Sequence, residues 1–193
     1  MEKPQQSLLT LTLLLLLFIS TTSASSTALY ASSCSHARYP SLCVRTLSAF
    51  AGTSAQTPSD VARAAVSAAL SAARNASSFL SSAASTARAG RQGKAIRDCV
   101  EQISDSVDEL SETLTELRRL HPGTFKWQMG NAETWVSAAL TNDDTCLDGV
   151  AASGDAAGAG AAVVIKRRIS GVARVTSNAL YLVNRLASSR GKP

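Results

Sequence analysis

Histidine is nearly missing from this 193-residue chain, which has only His36 and His121. Two imidazoles cannot supply the closely spaced Cys and His sets that hold zinc. A hydrolase needs a nucleophile beside a base, yet no GxSxG segment occurs, and the two histidines fall in a turn and in a loop at a helix end. A dinucleotide loop is lacking as well: Gly158-Ala159-Gly160 has no third glycine and follows no strand, so it reads as a linker. No cofactor is expected. Aromatic residues make up 5% of the chain and proline occurs five times. That scarcity, with abundant Ala, Leu and Ser, suits closely packed helices, because alanine has the best helix propensity and lets backbones approach. Beyond residue 24 no segment is long and apolar enough for a membrane span.

The first 24 residues are different in kind. They open with Lys3, pass through the apolar run Leu13 to Ile19 and reach small residues at Thr22-Ser23-Ala24, which is the anatomy of a secretory signal peptide. Residues 25–193 are then expected to be a soluble, secreted domain. The formal net charge is +5, so its surface would hold weakly to acidic partners such as uronate polysaccharides or an anionic membrane. Lys166-Arg167-Arg168 reads as a solvated face, and no nucleic acid is expected. Asn75-Ala76-Ser77 is a glycosylation acceptor sequence, with Asn75 free to face outward from a helix.

Helical periodicity organises the rest. Ile96, Val100, Ile103, Val107, Leu110, Leu114 and Leu117 alternate spacings of four and three, with Asp105, Asp108, Glu109, Glu112 and Glu116 off the seam. Ile165, Ile169, Val172, Thr176, Ala179, Val183 and Leu186 repeat that rhythm. Thr57-Pro58-Ser59-Asp60 is a capped start leading into a seam of Val66, Ala69, Ala73, Ala76, Leu80, Ala83 and Ala87, whose end is marked by Gly90 and Gly93. A less periodic helix runs from about Gln128 to Ala151, with Trp135, Ala139, Cys146 and Val150 on one side. Gly154, Gly158 and Gly160 provide the link that follows. Four helices with short connections predict an all-α, up-and-down four-helix bundle over residues 56–190. Residues 25–55 are too few for another domain and read as a helical hairpin appended to it.

Four cysteines in an oxidising compartment point to two disulfides. In CSHARYPSLC, Pro40 disfavours helix through Tyr39, so the chain turns there, and a Cys34–Cys43 bond would clasp the turn. That choice leaves Cys99 with Cys146, although spacing alone does not exclude the other connectivities.

The segments TALYASSCSHARYPSLCVRTLSAFA, DCVEQISDSVDELSETLTEL and TWVSAALTNDDTCLDG together resemble the plant family of invertase and pectin methylesterase inhibitors, from about Ala28 to Ala187. The resemblance implies the bundle with its hairpin and the same two disulfides, Cys34–Cys43 and Cys99–Cys146. One departure is Ala37, where the family usually has threonine. The resemblance also implies inhibition of a secreted carbohydrate-active enzyme through a non-covalent one-to-one complex in the apoplast. Invertase inhibitors carry a Pro-Lys-Phe tripeptide before the third bundle helix; here the matching stretch is HPGTFKWQMGNAETW, and the tripeptide is missing. ETWVSAALTNDDTCLDG is instead similar to pectin methylesterase inhibitors. By that similarity Thr145 lies at the enzyme contact, and Asn142, Asp143 and Asp148 are the further candidates on the polar face. Invertase remains the alternative target, and a non-inhibitory basic protein of wall or membrane surfaces is the alternative from another class.

Overall fold

A computed structural model describes residues 26–51, 55–87, 89–153 and 159–190. They form helices α1 (26–34), α2 (Pro40–Ala51), α3 (Pro58–Thr86), α4 (Arg91–Arg118), α5 (Phe125–Ala152) and α6 (Ala159–Arg190), with a short 3-10 turn at Pro122–Thr124. No strand occurs among the described residues. The expected signal peptide, and Gly154 and Gly158 of the expected link, lie outside them.

The long helices close into a ring. α4 packs on α3 and α5, and α6 packs on α5 and α3. Cross-links give the directions: Cys99 of α4 meets Cys146 of α5, whereas Glu116, further along α4, meets Asn131, earlier in α5. These two helices are therefore antiparallel, as a four-helix bundle with short connections requires. α3 begins with a capping box, in which the Asp60 amide donates to Thr57 Oγ1 and the Thr57 amide donates back to Asp60. Two backbone donors that the first turn would leave unpaired are thus satisfied.

Packing follows the apolar periods. α3 presents Ala62, Ala65, Val66, Ala69, Ala73, Ala76 and Leu80 to the interior, all buried. Small side chains there bring neighbouring backbones close, and the larger Ile103, Leu110, Ile165, Ile169 and Leu186 fill the space between layers. Each such aliphatic side chain contributes about 1.5–3 kcal/mol by leaving water. All seven expected seam residues of α6 are buried, Thr176 included.

Four expectations need correction. Ala83 and Ala87 of the expected α3 seam are only half-buried, and Ala87 follows the last residue of the helix. Val100 and Val107 are only half-buried, and Cys99, Ser106 and Thr113 take the interior places beside them. A spacing of 3.5 drifts against a helix of 3.6 residues per turn, and α4 serves two neighbours, so its buried stripe is wider than one seam. Trp135 is half-buried, and Val136 occupies the core of α5. Gly90, at φ 130°, separates α3 from α4 as expected, but Gly93 is buried within α4, and Gly160 lies in the first turn of α6.

The hairpin is α1 and α2, clasped by Cys34–Cys43 with the Cα atoms 5.8 Å apart. It sits on α3 and α6. Asn178 of α6 accepts from the Tyr39 amide at 3.1 Å and donates at 3.0 Å to the Tyr39 carbonyl, which also accepts from the Cys43 amide. Arg185 donates to the carbonyls of Ser32 and Ser33 at the end of α1, where helix carbonyls lack internal partners.

Candidate protein-binding face

The α4–α5 pair is the most heavily cross-braced part of the molecule. The Cys99–Cys146 disulfide ties the N-terminal part of α4 to the C-terminal part of α5, with the Cα atoms 4.5 Å apart. Outside the core, Asn142 donates to Glu109 Oε2 at 3.0 Å and Asn131 to Glu116 Oε1 at 3.4 Å. Burial raises the Glu109 carboxyl above its ordinary pKa; the Asn142 hydrogen bond opposes this, and nearby Asp105 and Asp108 add to it. The outer surface of the pair carries exposed Asp105, Asp108 and Glu112 on α4 and Thr141, Asp144, Thr145 and Asp148 on α5.

Of the residues expected at the contact, Thr145 and Asp148 are exposed and Asn142 is half-buried against Glu109. Spacings of three place them together on the outer side of α5. The Thr145 hydroxyl donates to the Thr141 carbonyl of its own helix at 2.8 Å, which leaves its oxygen able to accept and its methyl presented to solvent.

Asp143 is placed elsewhere. It is completely buried, accepting from Ser106 Oγ of α4 at 3.0 Å and from Thr176 Oγ1 of α6 at 2.9 Å. No surface remains on it for a partner, so its place is in the interior, where it joins three helices. The physical reason is phase: from Ala139 a step of four reaches Asp143 and a further step of three reaches Cys146, both on the buried side. Burial pushes its carboxyl up to about 7, the Thr176 and Ser106 hydrogen bonds act in the other direction, and Asp144 and Glu109 add to the rise. Among the described residues no cation pairs with it.

Asn75 is exposed on α3, in a different part of the ring, and borders a shallow groove with Arg45, Phe50 and Val175. His36 and His121 are both exposed; His121 accepts from the Gly123 amide and caps the turn before α5. The residues that sequence reasoning missed are Ser106 and Glu109, which steady the face from α4, and Trp127, which is 66% exposed near the start of α5. A helical wheel drawn for α5 from Phe125 onward would have put Trp127 on the outer side, opposite buried Val136 and Asp143. Rigid hydroxyls, amides and carboxylates on a surface of this kind are equipped for recognition by another macromolecule.

Comparison with known proteins gives consistent results. The family model described as plant invertase/pectin methylesterase inhibitor matches residues 28–182. An Arabidopsis thaliana relative named pectinesterase inhibitor 3 is 47% identical over 168 residues, covering 84% of this chain and 80% of that protein. A second, pectinesterase inhibitor 9 of the same plant, is 38% identical and covers 95% of this chain and 92% of its own length. Among solved structures, a mutant form of a pectin methylesterase inhibitor from Arabidopsis superposes with a TM-score of 0.62 at 22% identity, over 78% of this chain and 92% of that one. That likeness speaks to the fold.

Proposed function

The chain belongs to the plant invertase/pectin methylesterase inhibitor family, and from that premise we propose that it is a secreted inhibitor of pectin methylesterase that blocks the enzyme's pectin-binding cleft in a non-covalent one-to-one complex. It is not itself an enzyme: two relatives matched along most of their length are named as inhibitors. The observation that carries the proposal is the 47% identity to a protein named as a pectinesterase inhibitor. Residues 1–24 serve as the leader that exports it to the apoplast, and no helix of the described residues is long and apolar enough to cross a membrane.

The physical basis is preorganisation. A disulfide and two cross-helix hydrogen bonds fix the α4–α5 face before the partner arrives, so little conformational entropy remains to be lost on association. Thr145, Asn142 and Asp148 are the contacts on this reading, and Asp143 supports them from beneath. Titration of the oxidised protein against a plant pectin methylesterase and a cell-wall invertase, side by side, tests it. Loss of esterase activity near stoichiometry with invertase unaffected is expected. Loss of invertase activity alone would assign the other target. Loss of neither would leave charge-driven attachment to pectin as the role.

A further inference from the structure

Trp127 is the most exposed of the large apolar side chains among the described residues, at 66%. Nothing in the fold demands an indole there: its neighbours Gln128 and Met129 point inward and do the packing. Along α5, Trp127 and Thr145 are 18 positions apart, and at 3.6 residues per turn this is about five whole turns, so the two share one azimuth. Between them on the same outward stripe stand Asn131, Thr134 and Thr141, none of them charged; Thr134 and Thr141 are exposed and Asn131 is half-buried.

A second feature lies beside the indole. Trp127, Gly130, Asn131 and Thr134 border a shallow open groove of about 730 Å³, with Lys126 at its rim. Gly130 is helical, and a Cβ built there would meet nothing within 4 Å. Glycine within a helix is less stable than alanine, and packing does not require it at this position. What its missing side chain leaves is a cleft next to an exposed aromatic ring.

We infer that the enzyme-binding face extends from Thr145 along the outer stripe of α5 to Trp127, whose ring and adjoining groove at Gly130 form an anchor for a side chain of the same esterase. The inference rests on the reading of that enzyme as the partner. Its span supports the choice of occupant: 18 residues of helix cover about 27 Å, and a stable one-to-one interface of roughly 800 Å² per partner is about that wide. Tryptophan is also among the residues enriched where binding energy concentrates, because it gives a large rigid contact at small entropic cost.

The test measures inhibition constants for the full oxidised protein and three variants against pectin methylesterase. Trp127→Ala should weaken inhibition at least about 30-fold, the scale of an interface hot spot. Gly130→Arg, which fills the groove, should weaken it similarly while the melting temperature stays level or rises. Ser81→Arg, on exposed α3 surface, should change nothing. If the parent inhibits stoichiometrically and both Trp127→Ala and Gly130→Arg remain within threefold of it, the anchor is refuted and the proposed function stands. If the parent leaves the esterase untouched, the proposed function falls and the anchor falls with it. A Trp135→Phe background makes Trp127 the sole indole; its fluorescence should shift on adding the esterase and stay constant with galacturonate oligomers alone. A shift with the oligomers alone would overturn the inference in favour of a saccharide platform.

Discussion

Replacing Asp143 by asparagine should remove most of the fall in stability that the protein undergoes between pH 4 and pH 8. In the folded chain the carboxyl is completely buried, contacted by two neutral hydroxyls, and its pKa lies at about 7 against an ordinary 3.8. Proton counting explains the preference for the neutral acid. Its own O–H can donate to Ser106 Oγ, and Ser106 can then turn its proton to the Ala139 carbonyl, 3.0 Å away; every group is satisfied and no charge is buried.

The sign follows from comparing the two states. Below pH 4 both folded and unfolded chains hold the proton. As pH rises the unfolded carboxyl ionises first, so the folded state binds more protons, and stability declines until the folded group ionises near pH 7. The gap corresponds to a loss of the order of 4 kcal/mol at about 1.4 kcal/mol per pH unit, and each kcal/mol moves the melting temperature of a domain this size by about 2–4 °C. Asp143→Asn retains the geometry, since its amide oxygen accepts from one hydroxyl while its NH2 donates to the other. Thr176 would then direct its proton to the Val172 carbonyl at 3.1 Å. Thermal melts of both oxidised proteins across pH 4–8 should therefore diverge by about 10 °C, with the variant the more stable at pH 8 and nearly equal to the parent at pH 4. Taking the difference between the proteins cancels other titrating groups such as Glu109. Two parallel pH profiles would refute the reasoning.

Other consequences can be measured with the same materials. Thr145→Ala should weaken esterase inhibition about tenfold and leave the melting temperature within a degree or two, because its hydroxyl bonds only within α5; an unchanged inhibition constant would remove it from the contact. Replacing Cys99 and Cys146 together by serine opens a closure of 47 residues and should cost about 4 kcal/mol in urea unfolding, and a loss under 1 kcal/mol would show that packing alone holds α4 to α5. Asn178→Ala leaves the Tyr39 amide without its partner, while the Tyr39 carbonyl keeps the Cys43 amide, and should cost about 1–3 kcal/mol, with faster amide exchange confined to α1 and α2. Uniform exchange over the whole chain would mean that the hairpin and bundle unfold together.

What could be read from the residues was whatever the burial of apolar side chains dictates. Ile165 to Leu186 marked the interior of α6, and the capped start at Thr57 marked the beginning of α3, because in both places local chemistry and tertiary packing ask for the same side chains. α5 resisted because its buried stripe is built from Ala132, Val136, Ala139, Asp143 and Cys146, a set with little hydrophobic contrast to its outer stripe of threonine and asparagine. A carboxylate in such a stretch reads as surface until the phase is fixed by Cys146, which the disulfide turns inward toward Cys99. Once that phase is set, Asp143 must point to the core and Trp127 must point away from it. The two assignments are thus linked: the rotation of α5 that buries an acid also exposes an indole along the azimuth of Thr145. An acid in the core is tolerated because Ser106 and Thr176 meet it from the two helices that flank α5, which places a buried polar junction of three helices beneath the proposed binding face. Loosening that junction by ionisation should therefore reach the inhibitor's affinity as well as its stability, and a binding titration from pH 5 to pH 8 that shows weakening in the parent but less in Asp143→Asn would register it; identical pH dependence in both would confine Asp143 to folding.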